Sequence, residues 1–230
     1  MKNCYALIIS PHPDDSEFGI AGTVAKWTSE GKNVIYGICT NGNKGTDDPQ
    51  LLPDKLTKIR EKEQLAAAKI LGVNEVIFLR HDDQSLEDTP EFRKEIVRLI
   101  RTYQPEVVAT CDPYKRYLMW HRDHRITGQV VLDAVFPFAR NYWAYPDLIE
   151  QGLMPYKVNE VLLWSPQEPN HFTDVFDTWD IKIAALCCHD SQVGQFISER
   201  EPELRARFEA LAQGTGFKLV EAFHRIEILR

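Results

Sequence analysis

The chain has 230 residues and carries 34 Asp and Glu against 27 Lys and Arg, a formal net charge of −7. This acidic balance, with no basic block, argues against nucleic acid or an anionic membrane surface as the main partner, and no stretch reaches the ~20 apolar residues of a membrane span. A chain of this length buries about 70–75% of its unfolded surface, so one domain over residues 1–230 is expected to fold without disulfides or a structural metal.

In chain order, residues 4–10 form a short apolar run rich in strand formers, suited to a buried parallel strand. Pro11 and Pro13 end it and stiffen the turn that follows. Residues 16–31 read as a helix with Ile20, Val24 and Trp27 on one stripe. Residues 33–40 read as a second strand, closed by the loop Asn41-Gly42-Asn43-Lys44-Gly45. An amphipathic helix over 56–71 ends at Gly72, a residue suited to the C-cap. A strand over 75–79, a helix over 90–103, a strand over 106–110 and a helix over 126–135 continue the alternation. Periodicity then fails, aromatic and proline density rises, and an irregular insertion near 136–156 is expected to cross the sheet edge and to decide substrate choice. Strands over 159–164 and 219–228 and helices over 178–186 and 202–211 complete the pattern. The succession predicts an α/β fold, a Rossmann-like three-layer α/β/α arrangement with a mostly parallel sheet.

The five cysteines are Cys4, Cys39, Cys111, Cys187 and Cys188, with no CxxC pair. The first three sit in or beside apolar runs and read as buried reduced thiols; Cys187 and Cys188 are neighbours, which rarely bridge. Lys2 is followed by only a short apolar run, so no secretory leader is expected and the expected compartment is the cytoplasm.

Two motifs carry chemistry: Pro11-His12-Pro13-Asp14-Asp15 after the first strand, and His121-Arg122-Asp123-His124 after the fourth. Both fall at the carboxyl edge of the sheet, where open α/β folds bind ligands. His12, Asp15 and His124 can form a facial three-ligand site for a divalent metal, zinc being the expected ion and another divalent metal also fitting. Zinc in such a site keeps a water, lowers its pKa and polarises a carbonyl. Asp14 is left free beside it as a base. A plain turn with Asp15 capping the next helix explains one carboxylate, but not a histidine and two carboxylates together.

The chain resembles the PIG-L / LmbE-like family of zinc-dependent de-N-acetylases over most of its length. The resemblance rests on Pro11 to Asp15, on the helix start running to Gly22-Thr23, on Thr40 to Gly45, on Arg60 and Glu63 with Leu71-Gly72-Val73, on His121 to His124, and on His189 to Gln192. It implies removal of an acetyl group from an N-acetylglucosamine-type amide, a small-molecule N-acetylated sugar or conjugate. Residue by residue it implies His12, Asp15 and His124 as zinc ligands, Asp14 as general base and then acid, and His121 beside the oxyanion. Asp123 would orient a histidine from behind, Arg60 and Asp83 would contact the sugar, and His189 would belong to the same rim. One departure is Ser16 where many members carry Glu; Glu17 follows it and is given no role.

Less is expected of the remaining candidates. His81 could join the site from the strand before it, and Arg116-Tyr117 could line its entrance. His171 and His224 read as surface or satisfied histidines. The aromatic group Phe136, Phe138, Tyr142, Trp143 and Tyr145 reads as core, sugar wall or subunit contact, and the oligomeric state is left open, a homo-oligomer included. The alternatives are a related amidase acting on a non-sugar or thiol-conjugate amide, a phosphoesterase, and a nucleotide-binding domain without chemistry. The last lacks GxGxxG and a P-loop.

Overall fold

The computed structural model describes residues 3–116 and 121–228. A seven-stranded sheet runs in the order β3-β2-β1-β4-β5-β7-β6. Its strands are β1 (Ala6–Ser10), β2 (Val34–Thr40), β3 (Glu75–His81), β4 (Val107–Cys111), β5 (Glu160–Trp164), β6 (His171–Asp174) and β7 (Val220–Glu227). The pairs from β3 across to β5 are parallel, whereas β7 is antiparallel to both β5 and β6. The helices are α1 (Asp15–Ser29), α2 (Pro53–Leu71), α3 (Pro90–Tyr103), α4 (Arg122–Asp133), α5 (Pro146–Glu150), α6 (Trp179–Cys187) and α7 (Gly194–Leu211). The three-layer, mostly parallel arrangement is the one expected.

The first strand shows why the layers form. Alternate residues of β1 face opposite sides: Ala6 and Ile8 pack with Ile20, Val24 and Ala67, whereas Leu7 and Ile9 pack with Ile96, Val97 and Val130. All of these are fully buried, so α1 and α2 cover one face and α3 and α4 the other. From β1 the chain winds out to β2 and β3, then returns to place β4 on the other side of β1. This reversal opens a crevice at the carboxyl ends of β1 and β4.

Several boundaries differ from expectation. β6 has no apolar run to announce it; its residues are half-buried and it is held by pairing with β7. α7 begins at Gly194, with Pro202 inside the helix rather than at its start. The insertion does not extend over the site. Its carbonyls at Phe138, Ala139, Asn141, Tyr145 and Leu153 converge on the fully buried Arg101 guanidinium of α3. Lys94 of α3 also pairs with Asp147, 2.5 Å away. The segment therefore packs on α3, and its aromatics Tyr142 and Trp143 face solvent. Cys4, Cys39 and Cys111 are buried, and all five cysteines are free. No helix among the described residues is long and apolar enough to cross a membrane.

α1 is tied to the far side of the sheet by a buried ion pair. Glu221 of β7 accepts the backbone N–H groups of Gly22 and Thr23 at 2.9 and 2.7 Å, and Lys182 of α6 lies 2.7 Å from the same carboxylate. Lys182 also donates to the Phe18 carbonyl at 2.7 Å. A Cβ at Gly22 would meet Val175 at 2.8 Å and a Glu221 oxygen at 3.2 Å, so a side chain there would crowd this junction.

Candidate active site

The loops after β1, β3 and β4 meet at His12. The Asp15 Oδ2 atom accepts the His12 backbone N–H at 3.0 Å and lies 3.0 Å from His12 Nδ1 and 3.3 Å from His124 Nε2. His12 Nε2, on the other side of the ring, lies 3.2 Å from Asp123 Oδ2 and 3.1 Å from Asp83 Oδ1. Asp123 is itself fixed, because its carboxylate accepts the Gln84 N–H at 2.7 Å and the Leu86 N–H at 3.3 Å. Gln84 adopts a positive φ of 63° to present that amide.

His121 caps α4. Its Nδ1 accepts the Asp123 N–H at 3.2 Å, so in the neutral ring the hydrogen is on Nε2, leaving that atom a donor. The ring stands edge-on to His12, with centroids 4.6 Å apart.

Two overlapping donor sets surround His12: one joins it to His121 and His124, the other to Asp83, His121 and Asp123. A metal-binding histidine commonly gives its second ring nitrogen to a carboxylate, and Asp123 occupies that position on Nε2. On the other side of the ring, Nδ1 of His12, Oδ2 of Asp15 and Nε2 of His124 lie together. The electrostatics fit a cation. Burial alone would push the His12 imidazole down, but Asp123, Asp15 and Asp83 outweigh it and carry it up to about 11. Burial would raise Asp15 and Asp83; the histidines hold Asp15 far below the usual carboxylate range, and His12 leads in holding Asp83 at about 2. His121 moves down, through burial and then the charge of His12. Two imidazoles and a carboxylate are a zinc-type donor set that iron or another divalent ion also accepts.

Asp14 stands apart from this group at a positive φ of 96°, a conformation that Asp tolerates better than most residues. Its N–H donates to Gln64 Oε1 at 3.1 Å, and its Oδ2 accepts from Arg60 Nη2 at 3.2 Å. Burial first, and then the charge of Asp15, push its carboxyl up to about 7, against the opposing pull of Arg60, His189 and His12. A carboxylate with this affinity for a proton is suited to general base work near neutrality.

Behind Asp14 the motifs interlock. Arg60 of α2 donates to the carbonyls of Pro13 at 2.6 Å and Gly42 at 3.0 Å. A Cβ at Gly42, whose φ is +60°, would lie 2.5 Å from Arg60 Nη1, so the Thr40 to Gly45 loop needs glycine there. Glu63, one turn on, accepts from both the backbone and the hydroxyl of Ser191 at 2.7 Å. Gln192 donates to the Gly45 carbonyl at 3.0 Å. Lys44 bridges to the next loop, 2.6 Å from Asp82 Oδ2.

A cavity of about 140 Å³ opens beside the cluster. Asp15, His121, His124, Phe18, Lys115 and Trp164 are among the residues that line it. Gly19 permits this wall, since a Cβ there would stand 2.5 Å from the Trp164 ring.

The structure thus brings together His12, Asp14, Asp15, His121, Asp123 and His124. Arg60 and Asp83 lie at the same site but are only 4% exposed, held among the loops rather than presented at a rim. His189 is fully buried, 3.3 Å from Glu17 Oε2, so the expected place on the rim is corrected to one behind it. His81 pairs outward with Glu95 at 2.6 Å. His171 sits away at β6, and His224 of β7 borders a neighbouring cavity. Arg116 borders a neighbouring cavity, and Tyr117 lies outside the described residues. Sequence reasoning missed Gln64, which joins the Asp14 amide to buried Glu17 through its Nε2 at 2.8 Å. Its position four residues after Arg60, on the same helix face, was the available signal. Glu17, given no role, is fully buried in this network. The aromatic residues 136–145 line neither this cavity nor its neighbour.

The chain is similar to known proteins over most of its length. The family model described as PIG-L, GlcNAc-PI de-N-acetylase, matches residues 7–135. Diacetylchitobiose deacetylase of Thermococcus kodakarensis is 37% identical over 200 residues, covering 86% of this chain and 74% of that protein. A Bacillus anthracis protein named probable N-acetyl-alpha-D-glucosaminyl L-malate deacetylase 2 is 33% identical, covering 88% of each chain. The structure of N,N'-diacetylchitobiose deacetylase from Pyrococcus horikoshii, complexed with its inhibitor MPG, superposes with a TM-score of 0.91 at 32% identity, over 97% of this chain and 84% of that one. The chain belongs to the PIG-L family of de-N-acetylases.

Proposed function

We propose that this protein hydrolyses the acetamide of an N-acetylglucosamine-type sugar, with a divalent metal, zinc for preference, held by His12, Asp15 and His124. The observation that carries the reading is the Asp14 carboxylate, set beside that donor group but bonded to Arg60 rather than to it. When bound, such an ion acidifies a water and polarises a carbonyl oxygen. Asp14 takes the proton of the attacking water and returns it to the leaving nitrogen. The Nε2–H of His121 donates to the carbonyl oxygen as negative charge develops there, where a preorganised donor is worth about 3–4 kcal/mol. Asp123 holds His12 by Nε2 so that Nδ1 faces the ion.

Arg60 and Asp83 are the proposed sugar contacts at the deep end. Arg60 Nε is buried and makes no hydrogen bond among the described residues, which leaves it for a substrate hydroxyl, whereas Asp83 Oδ1 faces His12 Nε2 at 3.1 Å. His189 supports Glu17 and, through it, Gln64 and the Asp14 amide. Five free thiols suit a reducing compartment such as the cytoplasm.

The test is amine release from N-acetylglucosamine and its conjugates by the metal-loaded protein. Release by the wild type, lost in Asp14→Asn and His121→Ala, is expected. No release from any of these compounds by metal-loaded wild type would overturn the reading.

A further inference from the structure

Asp14 stands at the N-cap of α1, yet its side chain does not cap the helix. An N-cap aspartate ordinarily keeps an extended backbone and turns its carboxylate back to accept the second or third helical N–H. Here the backbone is left-handed, with φ 96° and ψ −29°. The Asp14 carbonyl serves the helix instead, accepting the N–H groups of Glu17 at 2.9 Å and Phe18 at 3.1 Å. The carboxylate is turned away, to Arg60 Nη2 at 3.2 Å. A left-handed backbone is costly for a residue with a side chain, so it persists where its surroundings impose it.

Gln64 is the group that imposes it. The left-handed turn directs the Asp14 N–H towards α2, where Gln64 Oε1 accepts it at 3.1 Å. Arg60, one turn earlier on the same helix, takes the carboxylate, so α2 grips Asp14 by backbone and side chain together. The Gln64 amide is fixed in this sense. Its Nε2 donates to Glu17 Oε1 at 2.8 Å, and a carboxylate offers acceptors alone. Glu17 is held in turn through Oε2, which accepts from Ser16 Oγ at 3.2 Å and lies 3.3 Å from His189 Nε2. Ser16, Glu17, Gln64 and His189 are all fully buried, so water does not compete for these groups. None of the four lines the cavity beside the proposed metal ligands.

We infer that Gln64, locked by Glu17, is a positioning residue that prevents Asp14 from capping α1 and so keeps its carboxylate available as the base. The inference rests on the deacetylase reading above. It assigns Gln64 an effect on turnover through Asp14, with no part in holding metal or sugar.

The experiment measures kcat, KM and metal content per folded chain on N-acetylglucosamine conjugates. It compares metal-loaded wild type, Gln64→Met, and the exchanged pair Glu17→Gln with Gln64→Glu. Methionine fills a similar volume without an oxygen to accept the Asp14 N–H. The exchanged pair reverses the polarity of the amide–carboxylate bond but keeps an acceptor for Asp14. Gln64→Met should lose at least about tenfold in kcat through misplacement of the base, with KM and metal content as in wild type. The exchanged pair should lie nearer to wild type than to Gln64→Met. Should Gln64→Met fail to fold, Gln64→Glu takes its place: it sets two carboxylates against each other, and the exchanged pair should recover the kcat it loses. Undiminished kcat in the single variant, a loss through KM or metal, or no recovery in the exchanged pair would overturn the positioning role alone. No turnover by metal-loaded wild type would overturn the deacetylase reading and this inference with it.

Discussion

Asp123 Oδ2 lies 3.2 Å from His12 Nε2, across the ring from the nitrogen that faces Asp15. The contact joins two motifs 111 residues apart and, in the proposed metal site, leaves Nδ1 of His12 as the ligand. Removing it should cost metal affinity and not the fold. Asp123→Asn, with CD unchanged, should bind zinc about 10–100-fold more weakly in chelator competition. Unchanged affinity would mean that Nε2 needs no carboxylate.

Asp14 sets a second expectation through pH. Its carboxyl goes from 3.8 in the ordinary state to about 7 in the folded protein. Between those values the folded state holds a proton that the unfolded chain has lost, so this group's contribution to stability falls as pH rises through the window. In chelator-treated protein, Asp14→Asn should gain in melting temperature relative to wild type as pH goes from about 5 to about 8. Asn also tolerates the positive φ at this position. The same variant should keep the metal and lose about 10²–10⁴ in turnover. A melting-temperature difference that is flat with pH would remove Asp14 as the raised group.

The Lys182–Glu221 pair makes a prediction about α1, the helix that carries Asp15 at its start. Both side chains are fully buried at 2.7 Å. Lys182→Met leaves the carboxylate without its counter-charge and should destabilise the fold by about 3–5 kcal/mol. Lys182→Met with Glu221→Gln should lose less, because no buried charge is then unpaired. Urea unfolding of the three proteins decides it; equal losses in single and double variants would show that the charge itself is not what matters.

Gly19 gives a prediction about the cleft wall. An added Cβ meets Trp164 at 2.5 Å, and Trp164 is only 3% exposed. Gly19→Ala should cost about 1–3 kcal/mol, change tryptophan fluorescence and raise KM by moving the wall. A variant with wild-type stability and KM would show that the indole has room to yield.

Much of the fold was legible because its signals are local. The βα alternation and the β1 loop stand in the chain as short apolar runs, prolines and a helix stripe. β6 was not legible, because four half-buried residues paired at a sheet edge leave no periodic trace. The insertion was misplaced for a related reason: its position depends on Arg101, a charged residue within α3 whose burial only the tertiary structure reveals. The chemistry-bearing residues of the site were legible as types and spacing. The parts of Arg60, Gln64, Glu17 and His189 were not, because their partners lie on other elements, and a buried polar side chain carries no mark of what satisfies it.

The most direct test of the account is metal stoichiometry and affinity on chelator-stripped protein, comparing wild type with Asp15→Ala and His121→Ala. The two donor sets around His12 both include His121, and neither includes Asp15. The account predicts one tightly bound divalent ion per chain in wild type, lost in Asp15→Ala and kept in His121→Ala, with all three proteins folded by CD. An ion kept without Asp15 and lost without His121 would contradict it, and would move the metal to the other side of the His12 ring.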